Sequence, residues 1–415
     1  MPRSPREIIN TALQTCIKFH EEEQYESAEV ILRQALRAFQ QAYYTETDEV
    51  AQGHYEKGMY CLSSKKVEEA LSYFSEAYKL KPDLRAAFIN SIYCNFELGN
   101  FETLWRLYED RMSHFDQLIA YKRIFDPKKK WNGVDSLENK KVAIFCEQGL
   151  GDQINFSRYI PLIKEKYNCH IIANCGSCLK PIFEQYDFVD EVIVKEHVTT
   201  DSPIECDYHI PQMSLPFYFE HWEPLEKDKY IFIEDKMELP SDKFKIGVIW
   251  KGNPNSQNDP IRSVSVNWFK QLMSDKTQIY NLHNSLESHV DGIIDLKDEI
   301  SDFNDLAKAV NAMDLVVTVD TALLHLAGAM NKPVWAVIPF NPDWRWGLNG
   351  EKTVWYPSAR LFRQEYPGDW DGVFKKVKSE LQHQLSQYSH TSIQDLQPLD
   401  THNMQPAFLQ PLVKK

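Results

Sequence analysis

Residues 301–338, SDFNDLAKAVNAMDLVVTVDTALLHLAGAMNKPVWAVI, decide the fold of this chain. They read as helix, buried strand, short polar turn, helix, buried strand. The apolar run 315–319 ends at Asp320 and Thr321, and Leu323, Leu326, Ala327 and Met330 follow at helical spacing. A strand that hands an Asp-Thr pair to a helix start sets two oxygen-bearing side chains where free backbone N–H groups point outward. In a parallel α/β sheet that place binds anions. A phosphate-bearing substrate is therefore expected at the C-terminal ends of the strands.

The same alternation extends in both directions. The unit that holds this stretch begins at 245–250 (KIGVIW), passes through the polar loop 251–263 (KGNPNSQNDPIRS) and a strand at 278–282, and runs to about 385. An earlier unit has short strands at 141–146 (KVAIFC), 170–173, 192–194 and 208–210. Its glycine-bearing turn, 147–152 (EQGLGD), opens a helix that turns Ile154, Tyr159, Ile160 and Ile163 inward. Short β runs between helices predict parallel sheets covered by helices. The charged stretch 223–229 (EPLEKDK) is the expected link.

Residues 1–125 carry a different, wholly helical pattern. Gly58, Ala70, Phe74, Ala77 and Pro82 are spaced as in a tetratricopeptide repeat, where small residues let two helices pack closely and a proline ends the second. A weaker unit keeps Gly99-Asn100-Phe101 but has Leu104, Tyr108 and Arg111 in place of small residues. An earlier one keeps Tyr25, Ala28 and Ala35. Such stacks commonly bind extended polypeptides or other subunits; a plain helical cap is the simpler alternative. The expected order is thus helical repeats over 1–125, α/β domains over 126–235 and 236–385, and a disordered tail over 386–415, rich in Gln, Ser, His and Pro.

Composition narrows the functions. A length of 415 residues suits two or three domains, and a net charge of −14 argues against a general nucleic-acid binder. Only a local groove, for example one lined by Arg345, Arg360 and Arg363, would revive nucleic acid as a ligand. No run reaches the roughly 18 apolar residues that span a bilayer, and no apolar signal core opens the chain, so a cytoplasmic protein is expected. Cys175 and Cys178, with Cys169 and Cys206, have the spacing of a zinc or redox site. No second pair follows at ribbon spacing, which favours free thiols.

Three groups of residues can carry chemistry. In the first, Gly149 and Gly151 permit a tight turn and close approach of a ligand to backbone. Asp152 is either a helix cap, worth about 1 kcal/mol, or a carboxylate that takes a proton from an acceptor. The third glycine and the distant acidic residue of a dinucleotide fingerprint are missing, which argues against NAD. In the second group, Asp320, Thr321 and the amides from Ala322 onward can hold a diphosphate and sugar hydroxyls, with His325 either beside them or packed in the core. In the third, Lys251, Gly252, Asn253 and Arg262 line the polar loop, and Arg262 can neutralise a leaving diphosphate. Gln153, Trp344 and Arg345 are candidates for the acceptor side of the cleft, although aromatic runs of this kind more often pack a core.

As a set, EQGLGDQINFSRYIPLI, IPQMSLPF, IGVIWKGNP with IRSVS, VTVDTALLHLAGAMNKPVWAVIPFNPDWRW and WYPSARLFRQ resemble bacterial glycosyltransferases with N-terminal tetratricopeptide repeats, related to the heptosyltransferase (glycosyltransferase family 9) superfamily. The resemblance covers about residues 50–385. It implies a GT-B architecture: two Rossmann-like domains facing across a cleft, behind an all-α repeat domain. It implies a nucleotide-sugar co-substrate seated on the C-terminal domain, and neither an obligatory metal nor another cofactor. The base of that family falls on Asp152 and its donor-binding Asp-Thr on Asp320 and Thr321. The family's diphosphate cation is usually a lysine; here Arg262 stands near that place. Inverting transfer follows, with a polypeptide acceptor suggested by the repeats. A glycan, lipid or modified base as acceptor, or a non-catalytic repeat scaffold, are the competing readings. An oligomer is compatible with all of them.

Overall fold

The computed structural model describes residues 46–113, 125–198, 203–239, 241–256, 259–283 and 290–387, with a few single positions before residue 34. The repeat unit expected around Tyr25, Ala28 and Ala35, and the tail from 388 onward, lie outside them. The chain divides into two compact units, residues 1–100 and 101–415.

The first unit contains helices α1 (Glu46–Ser63), α2 (Val67–Leu80) and α3 (Arg85–Glu97). A three-residue turn with Lys65 in the left-handed region (φ 58) joins α1 to α2. The small residues permit the close approach that their spacing predicts. A Cβ on Gly58 would stand 2.6 Å from the Phe74 ring, and Ala70, Phe74 and Ala77 are fully buried. Pro82 follows the end of α2, where it cannot continue a helix.

The second unit opens with α4 (Phe101–Tyr108). The large side chains that stand there in place of a repeat's small residues pack into this unit. The Trp105 indole donates to the Trp222 carbonyl at 2.7 Å. Arg111, just beyond α4, grips Glu147 through two hydrogen bonds of 2.9 and 2.6 Å. Both side chains are completely buried. Arg111 also donates to Ser214 Oγ at 2.9 Å and Glu109 Oε1 at 2.9 Å, while the Met213 amide donates to Glu147 at 3.0 Å. A buried ion pair is sustained by such complete hydrogen bonding.

Two parallel sheets make the body. The first contains β1 (Lys141–Phe145), β2 (His170–Cys175), β3 (Glu191–Val194) and β4 (Tyr208–Pro211), in the order β3-β2-β1-β4. Helix α5 (Leu150–Ser157) follows β1. The second sheet contains β5 (Phe244–Ile249), β6 (Thr277–Asn281), β7 (Ile293–Asp295), β8 (Leu315–Val319), β9 (Val334–Ile338) and β10 (Ala359–Arg363), in the order β10-β9-β8-β5-β6-β7. Helices α6 (Phe303–Ala312) and α7 (Ala322–Ala329) flank β8, and α8 (Trp370–Gln387) closes the unit. Central strands are buried along their whole length, as in β8 and β9, which is why they read as apolar runs rather than alternations. Val317, Val319, Trp335, Val337 and Phe362 pack with Phe374, Val377 and Leu381 of α8 to form the second lobe's core. These are two Rossmann-like lobes, the arrangement that the GT-B resemblance implied.

The link between the lobes is strapped down rather than loose. The Tyr230 and Ile231 amides both donate to the Ala329 carbonyl, at 2.9 and 3.1 Å. The Asn311 side-chain amide reaches the carbonyls of Ile233, Glu234 and Asp235. No helix among the described residues is long and apolar enough to cross a membrane. The described cysteines are free; burial pushes the Cys175 thiol up to about 12 and Cys169 to about 11, so neither is a ready nucleophile.

Candidate active site

The two lobes meet where α5 lies on α7. A Cβ on Gly151 would stand 2.5 Å from His325 Cδ2 and 3.4 Å from the Ala322 Cα. The glycine expected to admit a ligand instead admits the other lobe. The left-handed residue of the turn is likewise not a glycine but Gln148 (φ 63), whose side chain donates to Tyr108 Oη at 2.8 Å. His325 is buried, its Nδ1 lies 2.8 Å from Tyr356 Oη, and its ring packs 5.3 Å from Trp346. Burial first, then the charges of Arg345, Arg158 and Arg262, hold it well below the ordinary histidine value. It is a neutral packing group in this geometry.

A polar network runs behind this contact. Asn155 Nδ2 donates to Tyr356 Oη at 2.8 Å, and Arg158 donates to Tyr230 Oη at 3.0 Å and the Trp355 carbonyl at 2.8 Å. Arg158 is completely buried. Gln153 also serves structure: its Oε1 accepts from the Gly176 amide at 3.1 Å, and its own carbonyl accepts from Gln212 at 3.0 Å.

Charged groups from both lobes converge beside this contact. From the first lobe comes Asp152, whose Oδ2 accepts from the Gly149 amide at 2.9 Å. Asp152 is therefore a cap and more, because its Oδ1 lies 2.5 Å from Arg345 Nη2 in an ion pair. Its side chain keeps 20% exposure against 5% for Arg345. Burial raises the Asp152 carboxyl above its ordinary value, with Asp343 adding to this and Arg345 opposing it. Arg345 also donates to Asp343 Oδ1 at 2.9 Å and lies 4.3 Å from the centre of the Trp344 ring. Asp343 was not among the residues singled out in the sequence, although it sits two places before Arg345 in PDWRW.

The second lobe adds Asp320, Thr321 and Arg262. Arg262, on the single helical turn Asp259–Arg262, donates to the Asp320 carbonyl at 3.0 Å. Gly252 makes room for it: a Cβ there would come within 2.5 Å of Asp259 Oδ1 and 2.6 Å of Arg262 Nη2. Thr321 caps α7 with its backbone extended and its hydroxyl turned to Thr318 Oγ1 at 3.2 Å. Burial, then Asp343, lift Asp320 to about 6 against the pull of Arg262. Arg262 Nε lies 3.5 Å from Asp259 Oδ1, and Arg345 Nη2 is held by Asp152, while Arg345 Nε is a buried donor without a hydrogen-bond partner among the described residues. Lys251 and Asn253 remain exposed on their loop and do not join the cluster.

Arg360 and Arg363 do not line an acceptor groove. Arg360 pairs with Glu351 at 3.0 Å and Glu380 at 2.9 Å, and Arg363 donates to the carbonyls of Trp346, Gly347 and Gly350. The run that contains them is the unforeseen edge strand β10.

Residues 281–354 match the family model described as glycosyltransferase family 9 (heptosyltransferase). That segment carries Asp320, Thr321, His325 and Arg345. Protein FlbA of Caulobacter vibrioides is 24% identical over 396 residues, covering 75% of this chain and 64% of that protein. The chain therefore spans less than two thirds of the length of that relative. Among solved structures, ADP-heptose lps heptosyltransferase II of E. coli has a TM-score of 0.39 at 16% identity, over 60% of this chain and 99% of its own. The dodecameric glycosyltransferase TibC of enterotoxigenic E. coli has 0.44 at 11% identity, over 61% and 78%. Likeness of this order carries no argument about the reaction.

One expectation is corrected here. The sequence reading gave the chain no cofactor and no metal, whereas the TibC enzyme is iron-containing. An iron ligand set is not found among the described residues, where no group of three or more His, Cys, Asp or Glu could hold a metal ion.

Proposed function

We propose that this chain is an inverting glycosyltransferase that moves a sugar from a nucleotide-sugar donor to an acceptor, with chemistry at the cluster between Asp152 and Thr321. The observation that carries this reading is the convergence of two guanidiniums, Arg262 on the Asp320 carbonyl and Arg345 on Asp152 and Asp343, beside the start of α7. Guanidiniums placed at a helix start suit a diphosphate, whose oxygens accept charge-assisted hydrogen bonds from them. The first-turn amides from Ala322 and the hydroxyl of Thr321 add to the same cradle. Asp320 is suited to a sugar or ribose hydroxyl, as acceptor when ionised and as donor when protonated.

Asp152, on the opposite lobe, takes the proton of the acceptor nucleophile. The new bond to the anomeric carbon forms as the bond from that carbon to the diphosphate oxygen breaks. The departing charge is met by Arg262 and the helix start. Residues 236–385 would thus be the donor side and 126–235 the acceptor side. The helical region ahead of them reads as tetratricopeptide repeats that present a polypeptide acceptor, on the strength of the Gly58–Phe74 packing. The test is a thermal-shift panel of nucleotide diphosphates and nucleotide sugars, ADP-linked heptose among them, on the parent chain and Asp152→Asn. One nucleotide should raise the melting temperature of both proteins, while only the parent transfers or hydrolyses the sugar. An Asp152→Asn protein that turns over at the parental rate would remove Asp152 as the base. No shift with any nucleotide would remove the donor site.

A further inference from the structure

We propose that Arg345 is the positioning residue for Asp152: its guanidinium bridges the first-lobe carboxylate to Asp343 of the second lobe, keeping Asp152 charged and aimed while the lobes are together. This rests on the reading of Asp152 as the base. The two terminal nitrogens are divided between the lobes, Nη2 at 2.5 Å from Asp152 Oδ1 and Nη1 at 2.9 Å from Asp343 Oδ1. The planar group is fixed against Trp344 at 4.3 Å and faces the Phe156 ring of α5 at 5.8 Å. A lysine offers one point charge and could not hold both carboxylates in this fork.

The surroundings explain why a base here needs the arginine. Burial disfavours the Asp152 carboxylate, and Asp343 and Glu147 push in the same direction; only Arg345 and the Gly149 amide favour its charge. Around Arg345 itself stand Asp152, Asp343 and the Tyr108 phenol of α4, with Asp320 and His325 of the second lobe also within its field. Arg262 also acts on Asp320 and His325, and Arg158 on His325, while Arg111 acts on Tyr108. Arg345 is the one cation that directly contacts Asp152 among the described residues. Because its partners come from different lobes, the bridge exists only with the lobes in contact.

Two measurements test this. The first needs no substrate: urea midpoints of the parent and Arg345→Gln, followed by tryptophan fluorescence from pH 5 to 8.5. The deficit of Arg345→Gln should widen as pH rises, since the orphaned Asp152 must then lose its proton in place, and adding Asp152→Asn should narrow it at high pH. The second follows the pH dependence of kcat/KM with the nucleotide sugar chosen by the thermal-shift panel. In Arg345→Gln the acid limb should move up by about one pH unit, with kcat at pH 7 down at least tenfold and partly recovered at higher pH, as expected for a disturbed general base. Arg345→Lys should restore the limb but only part of kcat. A stability deficit that is flat with pH, or an unmoved acid limb, would overturn the bridge. Full turnover by Asp152→Asn would instead overturn the base assignment, so the two failures are separable.

Discussion

Replacing Gly151 with alanine tests how tightly the lobes are joined. The added methyl would sit 2.5 Å from His325 Cδ2 and 3.1 Å from its Nε2, well inside normal packing distance. His325 cannot swing away freely, because its Nδ1 lies at 2.8 Å from Tyr356 Oη and its ring packs on Trp346. Overpacking costs about 1–3 kcal/mol, and breaking the His325–Tyr356 contact leaves buried polar atoms at about 1–3 kcal/mol. Better helix propensity returns up to about 1 kcal/mol. The net loss should be about 2–4 kcal/mol, or a urea midpoint lower by about 1 M for a protein with a slope near 3 kcal/mol per M. Tryptophan fluorescence is a clean assay, since all 10 tryptophans lie at or after Trp105 and Trp346 and Trp355 are buried close to this contact. Combining Gly151→Ala with His325→Ala should cost less than the sum of the two, because the second change removes the obstacle. An alanine variant as stable as the parent, or strict additivity, would refute the close lobe contact.

Three further outcomes are expected. Glu147→Gln leaves the buried Arg111 only Glu109 as a counter-ion, and should cost about 3 kcal/mol by urea unfolding; a loss below about 1 kcal/mol would contradict the bidentate pair. Asp320→Asn should stabilise the protein at pH 8 by about 3 kcal/mol. The folded Asp320 holds its proton to about 6 against an ordinary 3.8, so its penalty is present above pH 6, fades as pH falls and is gone below the unfolded value. Urea midpoints taken at pH 8 and pH 4 should therefore differ between the two proteins only at the higher pH. In the first unit, Gly58→Leu should separate α1 from α2, where even a Cβ would stand 2.6 Å from Phe74. Loss of helical circular dichroism at 222 nm reports it, and an unchanged signal would argue against that packing.

Local order was the legible part. Strand β8 has the limits that its apolar run suggested, and the Asp-Thr turn does open a helix, because a buried parallel strand and a following amphipathic helix are written in adjacent residues. Long-range pairing was not legible. Gly151 carries no mark that its neighbour is His325, and Glu147 none that Arg111 would reach it from before the sheet. Strand β7 is a three-residue edge and β10 is disguised by its arginines, so neither offered a sustained pattern. Asp343 was within reach of sequence reasoning: an acidic residue two places before an arginine, between aromatics, is a pairing signal. The shared use of that arginine by two lobes required coordinates.

The Arg111–Glu147 pair has a consequence for where this protein can be divided. A fragment begun at residue 126, where the helical pattern gives way to strands, would lose α4 and Arg111 and leave the buried Glu147 without its Arg111 partner at the foot of the Asp152 turn. A fragment begun at residue 101 would carry the pair intact, together with the Trp105–Trp222 contact. The transferable module, for dissection in the laboratory or for shuffling between genes, starts inside what looks like the last repeat.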